Sequence, residues 1–350
     1  MSKPCLAIAL GDPLSIGPEI LLKSLLNPLA TDNARILVLG HLAVLEREAQ
    51  RHQLPVRFRR VENATQARYE AGVFDLLEPE GMDAQAQSTL AALPMGKIDA
   101  LAGKASVLYV EQAARLALEA QVDAVVTGPI NKESVQLAGY TSYIGNTEIL
   151  EQVARAHTGK DYRGLCLTML ISKGLRVAHV TRHVAFRDIA ARLTPALLEQ
   201  TLRLTHLGMV SLGFDQARIA LAGLNPHNGD GGLMGDEEAR LLVPAVAKAQ
   251  AQGLRVVGPE PADTVFHKAI SGAYDAVVAL YHDQGHIAVK THGFEESISV
   301  SFGLPIIRTS VDHGTAFDIA GQGLALPTSL VEAIRMAKHI VGVNRWQVAE

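Results

Sequence analysis

The stretch from residue 262 to residue 323 decides the fold: ADTVFHKAISGAYDAVVALYHDQGHIAVKTHGFEESISVSFGLPIIRTSVDHGTAFDIAGQG. Near its centre, the apolar run 274–281 ends in the polar sequence His282-Asp283-Gln284-Gly285. A short apolar run bounded by turn-forming residues is typical of a buried strand. Because ligands of open α/β sheets bind beyond the carboxyl ends of the strands, we interpret His282 as a metal ligand at such an end.

Similar apolar runs occur along the rest of the chain and alternate with helical patterns. Strands are predicted at 5–10, 35–39, 122–126 and 217–222, and helices at 109–120, 195–207 and 236–251. This alternation predicts an α/β fold with a mainly parallel, doubly wound sheet. Runs at 165–171 and 175–181, joined by three residues that include Gly174, predict an antiparallel hairpin inserted into it. Residues 53–107 show no pattern that assigns their elements.

The composition excludes several classes of protein. Of 350 residues, 48% are hydrophobic and 19% charged, and the net charge of −4 gives no basis for binding nucleic acid or an anionic membrane. No apolar stretch approaches the about 18 residues that span a membrane. The N-terminal apolar run is too short for a signal peptide. We therefore expect a cytoplasmic protein whose two cysteines, Cys5 and Cys166, are buried small apolar residues.

Three histidines each follow the end of a different strand-like run: His183, His227 and His282. Imidazole binds Zn, Fe, Co and Ni, and three protein ligands with one open position are typical of a catalytic metal centre. The alternative, three ordinary polar loop residues, is equally compatible with the pattern. His286 lies four residues after His282, but Gly285 and the preceding strand predict a loop there rather than a helix.

Two further features could bind anions. Asn146 or Thr147 is predicted to cap the helix that follows residue 145, and the amides of a helix N-terminus attract phosphate or carboxylate. Lys290 and Arg308 are cations close to apolar strands, where a cation needs a partner or access to solvent. The glycine-rich stretch 229–235 is interpreted as a loop without a ligand. GxGxxG, GxxxxGK[ST] and GxSxG are absent from the sequence, so a Rossmann dinucleotide site and a P-loop are poorly supported.

Seven motifs resemble the 4-hydroxythreonine-4-phosphate dehydrogenase family. They are GDP-x-x-IGPE (11–19), TGPINK (127–132), G-x-TE (145–148), GLNPH (223–227), PADTVF (261–266), YHDQG (281–285) and LPIIRTSVDHGTAFDIAGQG (304–323). They follow one another along most of the chain, which makes the resemblance specific. The first and last motifs also resemble the isocitrate and isopropylmalate dehydrogenases, which bind NAD(P) without a Rossmann fingerprint.

The resemblance implies two α/β/α domains like those of the isocitrate and isopropylmalate dehydrogenases, with mainly parallel sheets. Residues 1–130 and 309–350 would form the nucleotide-side domain, and residues 131–308 the domain for metal, substrate and dimerisation. It also implies a homodimer with the active site at its interface. Each subunit would bind one divalent metal ion (Zn, Co, Mg or similar) through histidines of both subunits, at positions matching His183, His227 and His282.

The resemblance assigns further roles by position. The substrate-contacting positions match Asn146, Thr147, Lys290, Ser299 and Arg308. Asp263, Asp283 and Lys290 are the candidates for the group that takes the hydroxyl proton. By analogy with the isopropylmalate dehydrogenases, the nucleotide would lie along His313, Gly314, Thr315 and Ala316, with Asp318 nearby.

The activity implied is the oxidation of a hydroxy acid by NAD or NADP, followed by decarboxylation, with 4-hydroxythreonine 4-phosphate as the expected substrate. Alternatives are a paralogue acting on terephthalate cis-dihydrodiol or on 4-phospho-threonate or -erythronate, and a metabolite-binding regulator on the same fold. The chain has Asn146 where the family usually has histidine, Ser299 in place of asparagine and Ser15 in place of glycine. Asn146 cannot carry a positive charge, so we expect weaker phosphate binding there and a changed substrate.

Overall fold

A computed structural model describes residues 3–349, which form two compact units. The first unit contains the chain up to Arg163 together with Pro305–Gly342, and the second contains Gly164–Leu304 and the residues from Val343 onward. The domain limits expected from the sequence differ, since they place residues 131–163 and 305–308 with the second unit and residues 343–349 with the first. The roles expected of the two domains remain predictions.

Six strands form the parallel sheet of the first unit, in the order β3-β4-β2-β1-β5-β12. They are β1 (Cys5–Ala9), β2 (Arg35–Leu39), β3 (Phe58–Val61), β4 (Phe74–Leu77), β5 (Ala124–Thr127) and β12 (Arg308–Val311). Every residue of β1 is buried. A parallel strand covered by helices on both faces has no polar side, which explains the unbroken apolar sequence of β1.

The helices of the first unit are α1 (Gly17–Leu25), α2 (Pro28–Thr31), α3 (Leu42–Arg51), α4 (Ala84–Ala92), α5 (Ala100–Leu118), α6 (Lys132–Leu137), α7 (Asn146–Thr158) and α13 (Thr328–Val343). Helix α5 begins at Ala100 rather than at residue 109 as predicted. Asp99 caps it by accepting a hydrogen bond from the Leu101 amide at 2.9 Å. Its first turns carry small residues such as Gly103, which packs against the backbone of Ser134, so they show little apolar periodicity.

The second unit contains six strands in the order β11-β6-β7-β10-β8-β9. They are β6 (Leu167–Ser172), β7 (Leu175–His179), β8 (Ile219–Ala222), β9 (Val256–Glu260), β10 (Ala276–Ala279) and β11 (Ile298–Phe302). β6 is antiparallel to β11 and β7, while the pairs β7–β10, β10–β8 and β8–β9 are parallel. The predicted hairpin is confirmed: Lys173 (φ 46°) and Gly174 (φ 86°) form its two-residue turn.

The helices of the second unit are α8 (Ile189–Arg192), α9 (Pro195–Ser211), α10 (Val243–Ala251), α11 (Ala262–Ile270) and α12 (His282–His292). Within residues 3–349, no helix is long and apolar enough to cross a membrane. Val289 of α12 packs on Leu170, Leu175, Val177 and Ala279, which fixes α12 on the sheet. Cys5 is buried as predicted, whereas Cys166 is partly exposed.

The segment after β10 is helical, so the predicted loop at His286 was wrong. Gly285 does not break α12; it allows the helix to approach β7. A β-carbon on Gly285 would stand 2.8 Å from Val177 Cγ1 and would overlap Nε2 of His179. The glycine that argued against a helix is therefore explained by close packing.

Candidate active site

A buried group of polar side chains surrounds Thr127 at the carboxyl end of β5. Arg308, only 5% exposed, donates hydrogen bonds to Thr127 Oγ1 from Nε at 3.0 Å and from Nη2 at 2.8 Å. Thr127 Oγ1 donates to Ser310 Oγ at 2.9 Å, and Ser310 Oγ donates to the Thr127 carbonyl at 3.1 Å. The sequence-predicted Arg308 is thus a buried cation oriented by a hydroxyl group, as a site for an anionic substrate group requires.

Asn146 joins this group from the start of α7. Its Nδ2 donates to Thr127 Oγ1 at 3.3 Å and to the Gly128 carbonyl at 3.4 Å. The N-cap of α7 is Gly145 and no side chain caps the helix, so the predicted capping role of Asn146 or Thr147 was wrong. Both residues lie in the first turn, where backbone amides without intrahelical partners favour an anion.

Three histidines of the second unit, His183, His282 and His286, lie close together at the start of α12. The rings of His282 and His286 stack with centroids 3.6 Å apart, and the His183 ring lies 5.9 Å from that of His282. Nδ1 of His282 is 2.7 Å from Asp283 Oδ1. A carboxylate on one imidazole nitrogen orients the ring and leaves the other nitrogen for a metal ion. His183 and His282 also line a cleft of about 360 Å³.

His179 lies beneath this cluster and was not singled out from the sequence. It is the last residue of β7, 5% exposed, and its ring centroid is 4.7 Å from that of His286. Burial, with the nearby His286, His282 and Arg182, lowers the pKa of His179 well below its ordinary value. A neutral imidazole therefore supports α12 from the sheet.

His227 lies on an unusual turn after β8. Residues 227–231 have φ angles of 52°, 57°, 75°, 46° and 69°, a left-handed path that His227, Asn228 and Asp230 adopt only at an energetic cost. Such strain persists where the surroundings enforce it and is common at functional sites. His227 is exposed on this turn.

Glu238 holds the segment that leads into the turn. Its Oε1 accepts hydrogen bonds from the Leu224 amide at 2.9 Å and the Asn225 amide at 2.7 Å, and Oε2 accepts from Asn225 Nδ2 at 2.9 Å. Burial raises the pKa of Glu238, but the hydrogen bonds from Asn225 outweigh it and the pKa lies below its ordinary value. A buried carboxylate thus fixes the backbone before His227.

The donor set fits a divalent metal ion in part. The structure brings together His183 and His282, one of them oriented by Asp283. Within residues 3–349, however, no three His, Cys, Asp or Glu side chains are grouped closely enough to hold a metal ion. A set of three imidazoles is therefore not completed by the described residues of one chain.

The remaining predicted substrate and proton-transfer residues of the second unit lie on α11, α12 and β11. Lys290 is two turns after His282 on α12, with Nζ 5.3 Å from the centre of the Phe294 ring. Ser299 is buried on β11. Asp283 and Asp263 are exposed in the first turns of α12 and α11. His282, Asp283 and Lys290 therefore share one helix.

The predicted nucleotide segment follows β12 in the first unit and is neither helix nor strand. His313, Gly314, Thr315, Ala316 and Asp318 lie on it, with Asp318 and Gly314 exposed. The Thr315 carbonyl accepts a hydrogen bond from the Ile16 amide at 3.2 Å, and Ala316 has a left-handed φ of 41°. Contact with the start of α1 therefore helps to fix the segment.

The sequence did not reveal the clamp that holds the chain just after this segment. Glu19, fully buried on α1, accepts hydrogen bonds from the amides of Gly323 (3.2 Å) and Ala325 (2.8 Å). Lys23, one turn later, donates to the carbonyls of the same two residues at 2.9 and 2.7 Å and to Glu19 at 2.7 Å. Glu19 and Lys23 therefore bind the amides and the carbonyls of Gly323 and Ala325, respectively.

Asp12, which follows β1, is the other buried group that the sequence did not single out. Its Oδ1 accepts a hydrogen bond from the Leu14 amide at 2.9 Å. Burial raises the pKa of the Asp12 carboxyl to about 7, although hydrogen bonds from Leu14 and Ser134 lower it. This carboxyl therefore changes its charge near neutral pH.

Comparison with known proteins assigns the chain to a class, the nicotinamide-dependent dehydrogenases that act on small molecules. The sequence family described as "Pyridoxal phosphate biosynthetic protein PdxA" matches residues 32–337. The chain belongs to the PdxA family. The resemblance found in its motifs and the α/β fold are thereby confirmed, as is its nature as an enzyme.

Relatives and solved structures match over nearly the whole chain. A protein of Symbiobacterium thermophilum named "Putative D-threonate 4-phosphate dehydrogenase" is 42% identical over 98% of this chain and 99% of its own. The crystal structure of 4-hydroxythreonine-4-phosphate dehydrogenase from Klebsiella pneumoniae has a TM-score of 0.83, with 37% identity over 97% of this chain and 100% of that one. A terephthalate 1,2-cis-dihydrodiol dehydrogenase from Burkholderia xenovorans LB400 has a TM-score of 0.63, with 32% identity over 96% and 98%.

Proposed function

We propose that this dehydrogenase oxidises a 4-phosphorylated hydroxy acid and that the product then loses carbon dioxide. D-threonate 4-phosphate and 4-hydroxythreonine 4-phosphate are the 4-phosphorylated substrates named for its relatives. The observation that carries the proposal is the 42% identity to the Symbiobacterium relative over 98% of the chain. The dihydrodiol dehydrogenase is less similar at 32%, so a dihydrodiol is the second candidate. A purely regulatory role is not favoured, because these relatives are all named as dehydrogenases.

The first unit supplies the anion-binding groups in this proposal. Arg308, oriented by Thr127, would pair with a carboxylate or phosphate oxygen, since a guanidinium forms strong charge-assisted bonds with such groups. The amides at the start of α7, beside Thr147, would favour the same anion. Lys290 and Ser299 of the second unit remain proposed substrate contacts.

The second unit supplies the imidazoles for a divalent metal ion. His183 and His282 would contribute two ligands from one chain, and His227 completes the proposed set through the second subunit of a homodimer. When bound, such an ion acts as a Lewis acid that polarises the substrate hydroxyl. Asp283 orients His282 by holding its Nδ1 proton. Zn and Co suit imidazole ligands better than Mg does.

Nicotinamide would accept the hydride from the carbinol carbon, and the segment from His313 to Asp318 would hold the nucleotide. NAD and NADP both remain in the proposal. The hydroxyl proton needs a base. Asp283 is already engaged with His282, so Asp263 and Lys290 are the better candidates. The ketone formed lies β to the carboxylate, so carbon dioxide can leave with the bonding electrons passing to the carbonyl.

A homodimer is proposed because the second unit exposes several large apolar side chains, of which Phe186 lines the histidine cleft. Phe186, Ile287 and Phe294 are 80%, 64% and 66% exposed, and Leu233 beside the His227 turn is 84% exposed. Apolar side chains concentrated in this way are typical of an interaction surface. The cytoplasm remains the expected compartment on sequence grounds.

The test is an NAD(P)H absorbance assay with purified protein, added Zn²⁺ or Co²⁺, and three substrates: the two 4-phosphates and the terephthalate dihydrodiol. We expect turnover with a 4-phosphate, and a loss of more than a hundredfold in kcat/KM in His282→Ala. His157→Ala, a surface histidine of α7, is the matched control and should keep its activity. Metal-loaded protein that reduces neither cofactor with any of the substrates would refute the proposal.

A further inference from the structure

The hydrogen bonds around Thr127 fix which end of the Asn146 amide faces outward. Ser310 Oγ lies 3.1 Å from the Thr127 carbonyl, which only accepts, so the Ser310 hydroxyl must donate there. Ser310 Oγ is then the acceptor for the Thr127 hydroxyl at 2.9 Å. The single proton of Thr127 is therefore already used.

Thr127 Oγ1 can then only accept from its other neighbours. Arg308 has no acceptor and donates to it twice. Asn146 must also donate, through Nδ2 at 3.3 Å. The Gly128 carbonyl, 3.4 Å from the same nitrogen, requires the same orientation independently. The carbonyl oxygen Oδ1 of Asn146 is therefore the end that faces away from β5.

This oxygen is buried and lacks a donor. Asn146 is 9% exposed, and no donor of residues 3–349 lies within hydrogen-bonding distance of its Oδ1. A buried acceptor without a partner costs about 1–3 kcal/mol. Natural folds keep such a group chiefly where a ligand or an ordered water completes it. Thr147 beside it is likewise largely buried, with 8% of its surface exposed.

Only some groups of the proposed substrate could donate a hydrogen bond to Asn146 Oδ1, and this step rests on the proposed function. A phosphate dianion and a carboxylate carry no proton to donate, and the second pKa of a phosphate ester is near 6. Only a hydroxyl or an ammonium group can donate. The buried Arg308 guanidinium shares Thr127 Oγ1 with Asn146, so a second cation there would be repelled.

We infer that Asn146 determines specificity by accepting a hydrogen bond from a neutral hydroxyl group of the substrate. The Asn146 side chain would therefore select a substrate with a hydroxyl group at this point, whereas a protonated histidine would select an anionic group. The substrate class that follows is a polyhydroxy acid with a hydroxyl group adjacent to the anion held by Arg308.

The test measures binding by isothermal titration calorimetry to the metal-loaded protein without nicotinamide, so that no turnover occurs. The probes are D-threonate 4-phosphate and its 2-deoxy and 3-deoxy analogues. The wild-type protein should bind one deoxy analogue about tenfold more weakly than the parent compound. In Asn146→Leu, which is similar in size but has no acceptor, the parent and that analogue should bind within about twofold of each other.

Two further variants keep the test decisive. Asn146→Ala should show the same loss of discrimination if Asn146→Leu folds poorly, as judged by its thermal unfolding. Asn131→Ala is the matched control, because the acceptor of Asn131 is already used by the Ser134 amide, and it should keep the tenfold difference. If the 2-deoxy analogue is the weak one, 4-hydroxythreonine 4-phosphate, with an ammonium group in place of that hydroxyl, should also bind weakly.

The outcomes separate this inference from the proposed function. Equal discrimination in the wild-type protein and in both Asn146 variants, or equal binding of all three probes by the wild type, would overturn the inference. Normal oxidation of the parent compound would then still support the proposed function. Conversely, loss of discrimination in the variants without any cofactor reduction by the wild type would support the inference and refute the proposed function.

Discussion

Gly285 of α12 lies directly against His179 of β7, with no room for a β-carbon between them. Such a β-carbon would overlap His179 Nε2 and stand 2.8 Å from Val177 Cγ1. We expect Gly285→Ala to push α12 away from the sheet and to lower the free energy of unfolding by about 1–3 kcal/mol. His282 and His286 move with the helix, so Zn²⁺ affinity should fall as well.

Urea denaturation and competition with a chromogenic zinc chelator measure the two effects. The control is Gly342→Ala, because Gly342 is also helical but a β-carbon added there would meet no atom within 4 Å. That change should stabilise the protein by up to about 1 kcal/mol. Equal stability of the two variants would contradict the close packing described for Gly285.

Glu238→Ala should release the turn that carries His227. The change removes three hydrogen bonds to one buried carboxylate, and we expect a loss of about 2 kcal/mol or more in unfolding free energy. If His227 ligates the metal, Zn²⁺ affinity should fall about 10- to 100-fold, as for other groups that orient ligands. Glu237→Ala is the control, since Glu237 accepts a bond only from the Asn225 side chain among the described contacts. Similar zinc affinity in both variants would argue against this role of Glu238.

Lys23→Met should weaken cofactor binding without touching the substrate groups. It removes the donor to the carbonyls of Gly323 and Ala325 and leaves the buried Glu19 carboxylate without its cation. We expect the KM for the nicotinamide cofactor to rise several-fold, with kcat changed less. Lys23→Arg should restore part of the loss. Lys338→Met, which removes a comparable clamp on the carbonyls of Leu29 and Asp32, should leave the cofactor KM unchanged.

Asp12→Asn should make the protein more stable at alkaline pH. The folded-state pKa of Asp12 is about 7 and the ordinary value is 3.8. Below pH 3.8 the carboxyl is neutral in both states. As the pH rises from 3.8 towards 7, Asp12 loses its proton in the unfolded chain but keeps it in the folded protein. The free energy of unfolding therefore falls over this range, by about 4 kcal/mol in total. The advantage of Asp12→Asn over the wild type should therefore grow by roughly 2–3 kcal/mol between pH 5 and pH 8.

Chemical denaturation at the two pH values measures this difference. Ser134→Ala removes a hydrogen bond that lowers the pKa of Asp12, so the pKa of Asp12 should be higher in this variant. The fall in the free energy of unfolding with rising pH should then continue to a higher pH than in the wild type. A constant difference between Asp12→Asn and the wild type at all pH values would show that Asp12 is ionised throughout.

The sequence predicted those features that depend on local chemistry. The unbroken apolar runs of β1 and β10 follow from burial on both faces, and the Lys173-Gly174 turn needs left-handed backbone that the glycine supplies easily. Thr194 directly precedes the predicted helix at 195–207 and is of a residue type that caps helices, and its side chain accepts a hydrogen bond from the Leu197 amide at 3.2 Å. Arg308, His183 and His282 were singled out from their positions near apolar runs, and their roles in the site remain predictions.

The sequence could not show what depends on contacts between distant segments. Gly285 resembles a helix breaker until His179, more than a hundred positions earlier in the chain, is placed beside it. Glu19 and Lys23 look like an ordinary pair on an exposed helix, and only the fold shows that they bind the backbone of Gly323 and Ala325. The orientation of the Asn146 amide follows from the Gly128 carbonyl and from Thr127, whose proton is used by Ser310, and the fold is needed to bring these groups together.

The left-handed run from His227 to Gly231 restricts how this part of the chain can vary. β-branched residues are sterically excluded from such backbone, whereas glycine, asparagine and aspartate tolerate it. In a library that places all twenty amino acids at these five positions, few variants that fold should carry residues other than glycine, asparagine and aspartate. The neighbouring Leu233 and Met234, whose side chains are exposed to solvent, lie outside this left-handed run and carry no such conformational demand.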